Sequence, residues 1–494
     1  MGSNRTLGFR VTSISDLPAE ILSEILTEIV IKYHIKNLAA VSETCKLFAT
    51  IAFSTAKLWT MVNLHPNHFT NDGPDFLRAR ILRTRGAPLH VAFSFVEEYT
   101  AEVSALCKVL EEYNDQIFSF TLTTDTTMVA GAVIHDVFPN TKAFPALELL
   151  SVLSDSEVLG PLDAISPRLD LVLADAAAMF PNMQKLLMNV FYDSVPMLPL
   201  SASFPNLCTL VLDGASQSNI PSPELIASFL NCMPQLETLW IKHYIWQTFE
   251  DVGQSSDWGT IKGRSGIPQD IRLPKLKRLS VTLPGTMYNL IAFIAAPVLE
   301  DLHLDSSGDP DVIVESMPPE NAIWNDRRIR SMETVLRSFA LRCRSVRRLA
   351  FVMVDLVQTG WDWILFGPED GSGPPFPKLE SIALHAVKYD SLRGGFDNQL
   401  LKRFARQQMI PLRRLVFVVC DLPMSGSTLV EVLRTSGIKE LEYSGDPRTP
   451  QWDAGEREQL QALGVSLRCR QTKLSSYSWW NHEHAIDETD SGLY

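Results

Sequence analysis

One short pattern recurs along this chain and constrains its fold more than anything else. It reads aromatic-or-apolar, Pro, x, Leu, x, x, Leu, x, apolar. Its copies begin at Phe144-Pro145-Ala146-Leu147, Phe180-Pro181-Asn182-Met183, Phe204-Pro205-Asn206-Leu207 and Met233-Pro234-Gln235-Leu236. They continue at Leu273-Pro274-Lys275-Leu276, Ala296-Pro297-Val298-Leu299, Phe376-Pro377-Lys378-Leu379 and Ile410-Pro411-Leu412. Two weaker copies, at Val346-Arg347-Arg348-Leu349 and Ile438-Lys439-Glu440-Leu441, lack the proline. A single Leu-x-x-Leu-x-Leu matches any amphipathic segment, but repetition at this scale identifies a stacked repeat. The proline ends a preceding helix. The leucine after it packs inward, and the next two point inward from a short strand.

This core resembles the leucine-rich repeat. The resemblance implies a solenoid whose strands stack into a parallel sheet on the concave side, with helices on the convex side. Spacing is irregular, as a comparison of Phe180 to Phe204 with Met233 to Leu273 shows, so some turns carry insertions. Gly-, Pro-, Asp- and Ser-rich stretches near 246–270, 306–329 and 356–375 are the insertion loops. Helical segments at 223–230, 331–340, 400–407 and 427–434 supply the outer layer. Between 65 and 140 the pattern predicts a helix over 75–86 closed by Gly86, a strand over 89–95, a helix over 99–113 and a strand over 117–122.

Strand alternation marks the residues that leave the concave face: Lys185, Trp240, Lys242, Arg278, Asp301, His303, Arg348, His385 and Arg414. Trp and Arg are typical of binding hot spots, so these are the candidate substrate-binding residues. Insertions folded over the face would bury Trp240 instead. The Arg-rich run from Arg327 to Arg348 reads mainly as a solvated helix face, with only Arg348 on the concave side.

A different signal occupies the N-terminal end. Leu17, Ile21, Leu22, Ile25, Leu26 and Ile29 form one helical stripe, started by Pro18 in the first turn, with Ser15 and Asp16 placed to cap it. Val30 to Lys36 follow as an apolar linker. Further helical periods run from Leu38 to Phe53, with Leu38, Val41 and Cys45 on one face and Phe48, Ile51 and Ala52 on another; Leu58 and Trp59 close the unit. Leu-Pro-x-Glu-Ile-Leu, then Val-Ser-x-x-Cys-Lys-x-Phe, then Ile-Ala-x-Ser-Thr-x-x-Leu-Trp resembles an F-box in the form common in fungal proteins, over about residues 13–64. The sequence departs from that pattern where Leu47-Phe48 replaces the usual Arg-Trp pair.

The organisation that follows is α/β: a flexible leader at 1–12, a three-helix F-box-like domain at 13–64, an irregular leucine-rich-repeat-like solenoid at 65–472 with clear repeats from about 144, and a tail at 473–494. The F-box resemblance implies a non-catalytic adaptor. It would bind Skp1, and through it a cullin-RING ubiquitin ligase, by Leu17, Pro18, Ile21, Leu22, Ile25, Leu38, Val41 and Cys45. The solenoid would capture a protein substrate. Ile51, Leu58 and Trp59 would support the unit. Rival readings are a Skp1-binding protein acting outside ubiquitin ligation and a repeat scaffold whose N-terminal helices form a cap.

Composition supports this class. The net charge of −13 over 494 residues argues against general nucleic-acid binding. Seven cysteines occur singly, without Cys-x-x-Cys, as buried thiols of a reducing compartment do, so a cytoplasmic or nuclear location is expected. No apolar run is long enough to span a bilayer. Met1-Gly2-Ser3-Asn4-Arg5-Thr6 fits the loose myristoylation pattern. No phosphate-binding loop, nucleophile elbow or metal-ligand spacing is present, and no cofactor or metal is expected. His482-Glu483-His484 lacks the spacing of a helical zinc site.

Overall fold

The computed structural model describes residues 14, 17–33, 42–65, 68, 70–139, 142–154, 176–188, 204–213, 229–242, 271–282, 291, 293–305, 339–352, 375–385, 412–418, 430–431, 433–434, 438–444, 454–463 and 466–470. The leader, the three insertion loops up to residue 374, residues 400–407, the tail, and Ser15, Asp16, Leu38 and Val41 lie outside these residues. Two compact units divide the chain. The described residues up to Ser154, with Ala178–Asn182, belong to the first, and those from Met183 onward to the second. The architecture is mixed α/β, with an N-terminal helical segment followed by a repeat solenoid whose strands pair in parallel.

In the first unit, α1 (Ala19–Tyr33) is followed by α2 (Lys46–Ser54) and a short 3-10 turn, Ala56–Trp59. Helix α1 runs through Val30 to Tyr33, so the apolar stretch read as a linker is partly its last turn. Cys45, with φ −159° and ψ 162°, breaks the chain before α2. The polypeptide then enters the sheet directly through β1 (Met61–Leu64), which pairs in parallel with β2 (Leu89–Val96). Next come α3 (Gly73–Arg83) between β1 and β2, α4 (Ala101–Glu112), β3 (Ile117–Thr124), α5 (Thr127–Val137) and β4 (Leu149–Ser154). The order within the unit is β1-β2-β3-β4, all parallel.

Local chemistry accounts for the boundaries. Pro74 sits in the first turn of α3, where a missing N–H is harmless. Gly73 is required there because a Cβ would run into the His68 carbonyl oxygen. At the other end Arg85 and Gly86 both take positive φ, 54° and 82°, and turn the chain into β2. Thr100 and Thr126 cap α4 and α5 by accepting from Val103 N and Val129 N. The core is aromatic. Phe138 meets Phe120, Phe144 and Phe180 edge-on at 5.1, 4.7 and 5.4 Å between ring centres. Each such pair adds about 0.5–1.5 kcal/mol beyond area burial.

The second unit is the repeat region. Its strands are β5 (Lys185–Met188), β6 (Thr209–Asp213), β7 (Thr238–Lys242), β9 (Arg278–Thr282), β11 (Asp301–Asp305), β12 (Arg348–Val352), β13 (Ser381–His385), β14 (Arg414–Val418), β15 (Glu440–Ser444) and β16 (Ser466–Arg470). Each pairs in parallel with the next. Two-residue strands β8 (Ile271–Arg272) and β10 (Ile294–Ala295) pair separately, and α6 (Ala454–Ala462) precedes β16.

The proline of the motif does more than stop a helix. It occupies the second position of a tight turn, closed by Leu207 N on Phe204 O (3.3 Å), Leu236 N on Met233 O (3.2 Å), Leu276 N on Leu273 O (3.2 Å) and Leu379 N on Phe376 O (3.3 Å). Its fixed φ suits that position. Each turn then delivers two successive N–H groups to one carbonyl of the preceding repeat. Lys277 and Arg278 both donate to Glu237 O, Glu300 and Asp301 to Lys277 O, and Arg347 and Arg348 to Glu300 O. The leucines after the turn are buried, among them Leu236, Leu239, Leu276, Leu279, Leu299 and Leu302.

Charge reinforces this register. The residues just before successive strands alternate in sign: Glu237, Lys277, Glu300, Arg347, Glu380, Arg413. Lys277 pairs with Glu237 at 2.9 Å and Arg347 with Glu380 at 3.3 Å. Opposite charges side by side favour these pairings; the alternation stops at the next strand, where Lys439 follows Arg413 with the same sign.

Candidate partner-binding site

The N-terminal helices pack on a small core of Leu22, Leu26, Ile51, Ala52, Leu58 and Trp59, with Leu17 and Phe48 laid against it. Trp59 Nε1 donates to Ala52 O at 2.8 Å, so the indole is anchored as well as buried. The Ser23 and Thr55 hydroxyls meet at 3.1 Å and tie α1 to the end of α2. Two α3 arginines brace the same indole. The Arg83 guanidinium lies 4.5 Å from the Trp59 ring centre and 5.1 Å from that of Phe53, and Arg80 lies 5.7 Å from Trp59. Phe53 stacks on Trp59 at 5.7 Å. Arg80 is buried and donates to Met61 O at 2.6 Å. Burial, and then the positive charge of Arg83, pull its guanidinium down to about 10. These contacts hold the helical segment and the start of the sheet in one body.

The expected partner-binding residues separate into distinct groups. Ile21 is 43 % exposed, and Pro18 and Cys45 are exposed as well. Leu17 and Ile25 are half-buried. Leu22 is corrected: at 1 % exposure it is internal core, because one turn of α1 carries Ile21 outward and Leu22 inward. Leu38 and Val41 lie outside the described residues. Leu47 and Phe53, which were not among the expected contacts, are exposed apolar residues on α2. The signal for Leu47 was available in the replaced Arg-Trp pair: Phe48 went to the core and left Leu47 outside.

The sheet face of the second unit behaves differently. Register aligns Arg278, Asp301 and Arg348 on adjacent strands. Asp301 receives both arms of the Arg348 fork, Nη2 at 2.6 Å, and Arg278 Nε stands 3.6 Å away. His303 Nδ1 lies 2.7 Å from Ser280 Oγ. Arg414 pairs with Glu442 at 2.9 Å and Glu440 at 3.8 Å. An open surface at Trp240, Asp301 and His303 is therefore not what the structure has. Trp240 is 6 % exposed between Val211 and Ser280, and both Asp301 and His303 are buried among their partners. Lys185, Arg278, His385 and Arg414 are half-buried, and Arg348 is exposed. The side chain of Lys242 lies outside the described residues.

Among the described residues no group of three or more His, Cys, Asp or Glu could hold a metal ion, and no helix is long and apolar enough to cross a membrane. Burial raises the thiols of Cys107 and Cys343, the latter to about 12, which leaves them unreactive.

Residues 14–65 match the F-box-like family, a stretch that contains α1, α2 and β1. The chain thus carries an F-box-like domain at its N-terminal end. A solved structure similar to the chain is the crystal structure of the Rad7 and Elc1 complex in yeast, at 11 % identity and a TM-score of 0.35, covering 93 % of this chain and 99 % of that one. A score this low does not establish a shared fold. No curated protein matches the sequence.

Proposed function

We propose that this protein is the substrate-recognition adaptor of a Skp1–cullin–F-box ubiquitin ligase, binding Skp1 through the F-box-like domain and a protein substrate through leucine-rich-repeat-like strands. One observation carries the reading. The segment that matches the F-box-like family folds around its own core and still leaves Pro18, Ile21, Cys45 and Leu47 exposed. Exposed apolar groups on a small helical unit are what a helix-binding partner covers. The chain itself performs no chemistry in this reading. Lys185, Arg278, Arg348, His385 and Arg414 are the proposed substrate-facing residues, because their side chains retain solvent exposure on the strands.

The test is co-purification of the full chain with Skp1, comparing wild type with Pro18→Ala/Ile21→Asp. Both positions are exposed, so the variant should stay folded by circular dichroism while losing Skp1. Reconstitution with a cullin-RING core then distinguishes a ligase adaptor, which promotes ubiquitin transfer, from a Skp1-binding protein with another role. Failure of the wild-type chain to bind Skp1 would favour a repeat scaffold with a helical cap.

A further inference from the structure

On the strand face of the second unit one carboxylate is hidden and the cations around it are open. Arg278, Asp301 and Arg348 stand side by side at the start of β9, β11 and β12. Side-chain exposure is 40 % for Arg278, 1 % for Asp301 and 44 % for Arg348. Arg348 commits Nε and Nη2 to Asp301. Arg278 approaches the same carboxylate only with Nε, at 3.6 Å, which is too long for a hydrogen bond. Among the described residues the Nη groups of Arg278, and Nη1 of Arg348, have no hydrogen-bond acceptor. Two cations against one anion leave a positive charge over. Glu300, exposed one residue before Asp301, forms no ion pair with either arginine among the described residues. Two residues further along the strands the face is closed: Trp240, Ser280, His303 and Ala350 are 6, 6, 7 and 3 % exposed. What solvent meets at this level is the strand-entry margin, and its open groups are guanidinium.

We propose that this margin is a carboxylate-binding site, and that the substrate segment it takes is an acidic peptide with one carboxylate seated between Arg278 and Arg348. The proposal rests on the substrate-capture reading above and gives it a chemistry. Guanidinium forks match a carboxylate in geometry as well as charge, through paired N–H···O bonds. Both arginines already reach one carboxylate from opposite neighbouring strands, so their heads lie close enough together to hold a second. The contact with Asp301 orders the Arg348 side chain in advance, and less rotamer freedom is lost when a ligand arrives. An aromatic anchor at Trp240 does not compete for this role, because that ring is buried. The overall charge of −13 disfavours an acidic ligand at long range. Binding of such a ligand therefore depends on a local group of cations and not on general attraction.

The experiment is fluorescence anisotropy of fluorescein-labelled deca-glutamate against the full chain at about 0.15 M salt, with deca-glutamine as the neutral control. Deca-glutamate should bind and deca-glutamine should not. Arg278→Gln removes an uncommitted fork and should weaken binding roughly ten-fold with an unchanged melting temperature. Arg347→Gln removes the same charge one residue outside the margin and should stay within about two-fold of wild type. Arg278→Lys keeps the charge, loses the fork and should remain at least about three-fold weaker. Equal losses for Arg278→Gln and Arg347→Gln, or wild-type affinity for Arg278→Lys, would reduce the effect to unspecific attraction and overturn the site. Skp1 binding is read on the same preparations. If wild type binds Skp1 and not deca-glutamate, the adaptor reading stands and this site is overturned. If it binds deca-glutamate in the expected pattern and not Skp1, the adaptor reading falls and the site stands on a repeat scaffold.

Discussion

Arg348 closes both arms of its guanidinium on the carboxylate of Asp301, one strand away and 47 positions earlier in the chain. Asp301 is 1 % exposed, and Arg278 approaches it from the opposite neighbour. A carboxylate this deep is tolerated because two cations and a bidentate geometry replace its water. Asp301→Ala leaves the two guanidiniums without their shared anion. It should cost about 1–3 kcal/mol, given that both arginines reach solvent. Arg347→Ala breaks an exposed pair on the same strand entry and should stay within about 0.5 kcal/mol. Urea unfolding of the two variants makes the comparison; equal losses would mean the buried pair has no special weight.

The turn of each repeat separates two contributions that the motif combines. Pro234 presets one φ, and its replacement by Ala should cost about 0.4–1 kcal/mol, through the unfolded chain. Leu236 fills the core behind that turn, and Leu236→Ala should cost about 2–5 kcal/mol. Thermal melts that rank the two the other way would show that the turn, not the leucine, organises the repeat.

In the F-box-like domain, Trp59→Phe keeps most of the ring and removes the hydrogen bond to Ala52 O. The orphaned carbonyl and lost bond should lower stability by about 1–2 kcal/mol. Because Arg83 stacks on the same ring, local loosening should reach α3, which amide exchange of residues 73–83 would detect. Exchange confined to α1 and α2 would contradict the single-body arrangement.

Acid should weaken the α4–α5 pair. Burial pushes the Asp136 carboxyl up, but hydrogen bonds from Tyr99 and Ser104 (2.8 Å) and the neighbouring His135 outweigh it and hold the group below the usual carboxylate range. A folded-state value below the unfolded one means stability that is present above the unfolded value and lost as the pH falls through the folded one. The loss is therefore confined to pH values below about 4. Ser104→Ala should reduce the melting temperature at pH 7, and the gap from wild type should shrink at pH 3. A gap that is the same at both values would rule this out.

Much of the architecture was legible because it is local. The strand over 89–95, the helix over 99–113 and the strand over 117–122 were readable and became β2, α4 and β3, since period and capping chemistry sit within a few residues. Strands β1 and β16 were not readable: neither has the apolar-Pro lead, and β1 is only four residues long. Helix α5 was missed because Thr127 to Val137 is apolar nearly all round and offers no stripe, although its Thr126 cap was a usable signal.

What the sequence determined by itself was the repeat. Eight-fold recurrence of one turn-and-strand pattern leaves a stacked parallel sheet as the arrangement that buries every leucine. What the tertiary structure alone decided was the fate of the residues between those leucines. Alternation sends Trp240, Asp301 and His303 out of the leucine core, and nothing local distinguishes an open position from a buried one. Stacking did, by bringing Arg278 and Arg348 onto Asp301 and Ser280 onto His303 from the neighbouring repeats on either side. It likewise turned Ile21 outward and Leu22 inward on one helix, because the core that separates them is assembled from α2 and Trp59, far along the chain.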